Sequence, residues 1–275
     1  MPAVPAVLRP ALPASFRRID GAPGGGTIWR GTIPGRSGGV AGPSIVYLPP
    51  GFSRRRRYPV LYLLHGMPGS PYEYWHSMHL ASVADRLIAQ TRTPFVAIAP
   101  AAGSSYRYNG EWTGPWEDYL VGDIVPWVDA NLPTIRGPTG RVLAGISAGG
   151  YGAIDIGLRH AGVFGTLESW SGYFRPLRDG TLAHLARNEM AAYDPTKLVR
   201  RKAAVLRRLR IRFFLSTGPG HGKVDPRQTS DFAAELRSLG LRYELWLVPR
   251  SREATPYFPQ FLAGLRFAFS AAASP

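Results

Sequence analysis

Short apolar runs alternate with helical stretches along most of this chain, and that alternation constrains the fold more than any other feature. The runs are SIVYLPP (44–50), YPVLYLLHG (58–66), PFVAIAP (94–100), RVLAGIS (141–147), FGTLESWSG (164–172), RIRFFLSTG (210–218) and LRYELWLVP (241–249). Several are continuously apolar, as parallel strands covered on both faces must be. Between them, 72–90, 115–132, 147–160, 225–240 and 256–269 carry helical patterns. In the fourth of these, Asp225 suits the N-cap, Pro226 the first helical position and Gly240 the C-terminal cap. Strand–helix alternation predicts a doubly wound, mostly parallel α/β sheet. The segment FRRIDGAPGGGTIWRGTIPG (16–35) is expected to add antiparallel edge strands.

With 275 residues, 45 % of them hydrophobic, the chain suits one large α/β domain. No internal repeat or dividing linker is evident. Residues 1–15 read as a flexible arm, 16–275 as one domain, and 173–208 as a basic helical excursion at the sheet edge, where a cap would sit. The absence of cysteine excludes disulfides, thiolate zinc sites and a cysteine nucleophile. No apolar run reaches the roughly 18 residues of a membrane span, and the start, MPAVPAVLRPALPASFRR, lacks a signal-peptide pattern. The expectation is a cytoplasmic protein or a soluble domain of an envelope-associated one.

The charge is lopsided. There are 33 basic and 18 acidic residues, a net +15, and only three of the basic residues are lysines (Lys197, Lys202 and Lys223). Such a field favours anionic neighbours, an acidic membrane or envelope surface among them. Two clusters stand out, Arg54–Arg57 and VRRKAAVLRRLRIR (199–212). Base-reading modules are not apparent, which points away from nucleic acid.

The stretch LAGISAGGYG (143–152) contains G-x-S-x-G. The bare pattern arises readily in a glycine-rich chain, so its context decides. Here a buried strand runs straight into a helix with Ser147 at the junction, the strand–turn–helix setting of a nucleophile elbow. Gly145 and Gly149 fall where a side chain would collide. The free N–H groups at the helix start favour negative charge, and the N–H of Ala148 would face an oxyanion. The turn in LLHGMPGSPYEYW (63–75) offers a second donor, the N–H of Met67, while His65 suits a structural role holding that loop.

The order YLPPGF, YPVLYLLHG, WEDYLVGDIVPWVDANL, LAGISAGGYGAIDIGLRHAGVFGTLESWSGYF and YDPTKLV resembles the esterase family of α/β-hydrolases that includes esterase D, feruloyl esterases and mycobacterial mycolyltransferases. The resemblance covers about residues 44–265. It implies the α/β-hydrolase fold and a serine hydrolase or acyltransferase acting on esters through Ser147, without metal or organic cofactor.

The chain departs from that family at the base. The family's histidine lies after the last strand, but VPRSREATPYFPQF (248–261) contains none. The preceding loop, STGPGHGKVDP (216–226), holds His221 where the acid is expected. Two readings stay open. In one, the base has moved to His221, oriented by Asp225, Glu168 or Glu253. In the other, the triad is broken and the fold serves as a binding module for an envelope glycan, a lipid or a partner protein. Oligomeric state is not legible.

The remaining histidines are weaker candidates. His76 and His79 stand three apart on an expected helix without a third metal ligand, His160 suits a helix C-terminal cap, and His184 has no recognisable partner. The loop 101–119 is expected to arch over the elbow, with Tyr106, Tyr108, Trp112 and Trp116 lining an acyl or sugar subsite. The substrate class is a small-molecule, lipid or glycan ester.

Overall fold

The computed structural model describes residues 11–36, 40–102, 112–178, 182–218, 225–248 and 257–270. Nine strands form one sheet in the order β1-β2-β3-β5-β4-β6-β7-β8-β9. β1 (Arg17–Gly21), β2 (Thr27–Thr32) and β3 (Pro43–Leu48) form the antiparallel flank, and β3 pairs antiparallel with β5 (Val96–Pro100). From β5 onward, β4 (Val60–Leu64), β6 (Arg141–Ile146), β7 (Thr166–Trp170), β8 (Arg212–Thr217) and β9 (Arg242–Leu247) run parallel. Every residue of β4, β5 and β7 is buried, which is why those strands read as unbroken apolar runs.

Helices cover both faces. On one side α1 (Tyr72–His76), α2 (Leu80–Thr91) and α9 (Phe258–Phe269) close a core containing Leu61, Leu63, Ala97, Ala144 and Phe214. On the other lie α3 (Pro115–Asp118), a π-helical stretch (Tyr119–Ile124) continuing into α4 (Val125–Asn131), α5 (Ala148–Arg159), α7 (Pro195–Arg208) and α8 (Arg227–Ser238), around Tyr62, Leu64, Leu143, Leu167 and Phe213. A short α6 (Arg187–Met190) precedes α7. The expected excursion therefore divides in two. Residues 195–208 form an amphipathic crossover helix between β7 and β8, with Leu198, Val199, Ala203 and Leu206 turned inward. Tyr173, Leu182 and Met190 instead pack on the start of α5, against Ala148 and Tyr151.

The single helix expected over 72–90 is two. His79 adopts φ +47° and breaks the path between α1 and α2, so His76 and His79 do not share a helix face. Ser70 and Glu73 form half a capping box at α1, the Glu73 carboxylate accepting the Ser70 N–H at 3.2 Å. Burial pushes the Glu73 carboxyl up to about 6.

The loop after β4 is fixed by His65, which is 1 % exposed. Its Nδ1 lies 2.8 Å from Gly66 O and its Nε2 accepts the Ala102 N–H at 3.0 Å. This pairing requires the neutral ring with the proton on Nδ1. Burial lowers the His65 pKa to about 4. Below about pH 6.5 the unfolded chain takes up a proton that the folded chain refuses until about pH 4, so acid destabilises the fold across that window. In urea titrations, wild type is expected to lose up to about 3 kcal/mol more than His65→Gln as the pH falls through it. Parallel pH profiles for the two proteins would show that His65 is not the neutral pin of this loop.

Candidate active site

Ser147 stands where β6 ends and α5 begins. It has φ +53° and ψ −116°, a backbone conformation that a non-glycine residue rarely adopts and that costs on the order of 1–3 kcal/mol. Its N–H is bonded to Trp170 O at 3.0 Å, continuing the β6–β7 pairing, and its carbonyl accepts the Tyr151 N–H at 3.0 Å as the first bond of α5. The serine is thus locked into strand on one side and helix on the other, with its side chain partly exposed.

The two motif glycines permit the corner. A Cβ on Gly145 would collide with the Gly149 carbonyl, and one on Gly149 would collide with Leu64 O at the end of β4 and with His65 O. Those carbonyls are already engaged. Tyr74 Oη donates to Leu64 O at 2.8 Å, and the Trp112 indole N–H donates to His65 O at 3.0 Å. A Cβ on Gly66 would lie 3.4 Å from Ser147 Cβ, so the loop following His65 passes directly beside the serine. Ala148 N–H belongs to the first turn of α5, whose amides have no partner within the helix. The Met67 side chain packs against the cluster containing Ala148 and Tyr151. Ser147, Ala148 and Met67 therefore come together at one end of the sheet.

The two carboxylates singled out from the sequence occupy contrasting places. Glu168 is fully buried in the middle of β7, opposite Ala144. It faces α9, where a Cβ on Gly264 would collide with its Oε2. That oxygen accepts the Trp170 indole N–H at 3.1 Å, and Oε1 has no hydrogen-bond partner among the described residues. Burial raises its pKa well above the usual range despite the Trp170 hydrogen bond and nearby Arg212, which holds it as the neutral acid. Asp225 lies at the serine end of the sheet, ahead of α8. Its carboxylate accepts the Arg227 N–H at 3.0 Å and pairs with the Arg227 guanidinium at 2.9 Å. These hydrogen bonds lower its pKa, so it is ionised.

Two of the expected subsite aromatics are spent on packing. Trp112 is 0 % exposed, with its ring edge-on to His65, and Trp116 is buried in the core. Trp112 offers a ligand no surface, because its indole holds the carbonyl of His65. His160 stands at the end of α5, and its Nε2 is 2.6 Å from Glu117, which also takes Arg159 at 2.8 Å. His221, Glu253, Tyr106 and Tyr108 lie outside the described residues.

Sequence reasoning missed one buried polar junction. The Gln260 side chain, on α9 and 0 % exposed, accepts from Ser216 Oγ at 2.7 Å and donates to Ser171 Oγ at 2.8 Å. It ties the ends of β7 and β8 together beside the serine edge. The available signal was a lone amide within the apolar helix PYFPQFLAGLRFAF.

Comparison with known proteins agrees with this architecture. Over 145 residues, half of this chain, it is 31 % identical to Esterase Rv1288 of Mycobacterium tuberculosis, covering 31 % of that protein. Over 151 residues, 51 % of the chain, it is 32 % identical to an endo-1,4-beta-xylanase/feruloyl esterase of Xylanibacter ruminicola, covering 21 % of that protein. The matches thus span less than a third of either relative's length. A solved ferulic acid esterase superposes with a TM-score of 0.76 at 22 % identity, covering 89 % of this chain and 98 % of that one, and places the sheet in the α/β-hydrolase fold. The family model described as "Putative esterase" matches residues 43–245, and the chain belongs to that family.

Proposed function

We propose that this protein is a serine-dependent carboxylic-ester hydrolase or acyltransferase that works through an acyl-enzyme on Ser147. The observation carrying this reading is the strained backbone of Ser147 at the head of α5, since strain of this kind persists only where the surroundings enforce it. As the serine oxygen attacks the ester carbonyl, the base takes the hydroxyl proton and then gives it to the departing alkoxide, which leaves as the alcohol. Water or a second alcohol then releases the acyl group. The amides of Ala148 and Met67 supply two donors to the tetrahedral oxyanion, where losing one typically costs about 2.7–4 kcal/mol of barrier.

The base in this proposal is His221, in the loop between β8 and α8. Of the two carboxylates described, Asp225 suits its support and Glu168 does not. Orienting an imidazole and stabilising its cation takes an ionised carboxylate. Asp225 is ionised and stands four residues from His221, whereas burial keeps Glu168 protonated beneath α9. The names of the relatives direct attention to feruloyl and other small esters as first substrates.

A fluorophosphonate probe is expected to label wild-type protein at Ser147 and to leave Ser147→Ala unlabelled. His221→Ala is expected to abolish both labelling and hydrolysis of p-nitrophenyl acetate. Wild-type protein that resists the probe and spares the ester would instead favour the second reading, a binding module, which the histidine-free loop 248–261 supports. The acids separate by a paired substitution. Asp225→Asn is expected to lower kcat by about 10²–10⁴-fold, while Glu168→Gln retains activity. Glu168→Gln also gains stability relative to wild type as the pH rises above the ordinary carboxylate range, because a folded pKa raised above the unfolded value costs stability from there upward. Equal activity of Asp225→Asn and wild type would remove Asp225 from the mechanism.

A further inference from the structure

The parallel strands end in register at both edges of the sheet. At one edge Ile146, Trp170, Ser216 and Trp246 stand side by side, and Ser147 follows. At the other, Val60 pairs with Arg141, Thr166 with Arg212, and Arg212 with Arg242. The two edges are about 20 Å apart at roughly 3.3 Å per residue. The segments that enter the strands at this second edge include SRRRRYP (53–59), NLPTIRG (131–137), RRLRIR (207–212) and RSLGLR (237–242), which contain no aspartate or glutamate. The two arginine clusters legible in the sequence, far apart along the chain, therefore reach the same end of the sheet, opposite the serine.

Some of these arginines have internal work. Arg54 donates to Asn131 O, Arg57 to Thr134 O and Arg207 to Leu239 O. Arg55, Arg56, Arg208 and Arg210 are exposed, and their guanidinium groups take no hydrogen bond or ion pair among the described residues. An apolar residue sits in the same surface. Ile135, between Thr134 and Arg136, is 38 % exposed, one of two large hydrophobic side chains so exposed among the described residues. Its N–H bonds to Tyr58 O at 2.8 Å, which fixes it beside the 53–57 arginines.

We propose that this arginine-lined edge docks the protein on an anionic lipid bilayer, with Ile135 entering the headgroup layer and Ser147 facing the aqueous side. Charge complementarity supplies the attraction, on the order of fivefold in affinity for each basic residue near an anionic surface. The exposed isoleucine among the arginines favours a bilayer over nucleic acid, because a bilayer offers an apolar interior behind its charges. This surface stands independently of the chemistry proposed at Ser147.

The test is co-sedimentation with phosphatidylcholine vesicles with and without phosphatidylglycerol. The full chain is expected to bind the anionic vesicles at low salt and to be released at high salt. Arg55→Ala with Arg56→Ala, and separately Arg208→Ala with Arg210→Ala, are each expected to weaken binding about 25-fold while the far-ultraviolet circular-dichroism spectrum stays that of the folded protein. Ile135→Ser is expected to weaken vesicle binding several-fold and leave retention on duplex DNA unchanged. No binding to anionic vesicles, or binding indifferent to all four arginines, overturns the proposal. DNA binding that depends on the arginines, combined with vesicle binding indifferent to Ile135→Ser, also overturns it and assigns the face to nucleic acid.

Discussion

The contact between the start of α5 and the carbonyl end of β4 governs the geometry of the candidate site. Gly149 lies against Leu64 O and His65 O so closely that no side chain fits between. The same two carbonyls accept from Tyr74 on α1 and from the Trp112 indole. Strand, loop and two helices thus converge on a few atoms, and the unusual backbone of Ser147 follows from that convergence. A serine free to relax would leave this region of φ and ψ; here the bond to Trp170 O and the first turn of α5 hold it from both sides. The loop carrying Gly66 and Met67 is drawn into the same contact, so the serine and its neighbouring amides are positioned together rather than separately.

Burial also sorts the ionisable groups. His65 is kept neutral because both ring nitrogens are engaged and charging it would require desolvating a cation. The same penalty raises the carboxyl pKa of Glu168 and of Asp155 well above the usual range on opposite faces of the sheet, Asp155 lying within α5 with Arg159 at 3.9 Å. Among these groups, Asp225 keeps its charge because it lies exposed at the sheet edge with Arg227 for company. Burial thus weighs against ionisation of Glu168 within the scaffold beneath the serine, and the ionised Asp225 lies at its rim. That division favours the rim over the scaffold as the source of an orienting acid.

The parallel strands were legible because burial on both faces writes continuous apolar runs. β4 and β5 fall within a few residues of the sequence boundaries. Ser147 was legible because a strand pattern and a helix pattern meet at it. Other features leave no comparable trace. The break between α1 and α2 rests on His79 at φ +47°, with neither glycine nor proline to announce it. Trp112 looks in sequence like any aromatic in an active-site loop, and only its place under Gly152 shows that its ring packs inside. Gln260 owes its role to Ser171 and Ser216, which lie 89 and 44 residues away along the chain. Patterns within a window report periodicity, and these roles depend on partners outside any window.

The arginine edge has a partial explanation in stability, and the remainder is informative. α7 and α8 run antiparallel to the strands they connect, so their C-termini lie at the edge opposite the serine. Arg207 and Arg208 in the last turn of α7 and Arg237 in that of α8 complement the negative ends of those helix dipoles. That device accounts for basic residues at helix ends and for the hydrogen bond from Arg207 to Leu239 O. It does not account for Arg55 and Arg56, which lie in a loop between strands, or for Arg210, which lies beyond the end of α7. Exposed like charges placed this close repel one another and weaken the fold unless an external anion compensates. Their concentration at one end of the sheet, with no carboxylate in the same segments, is the pattern expected when the compensating charge comes from outside the molecule.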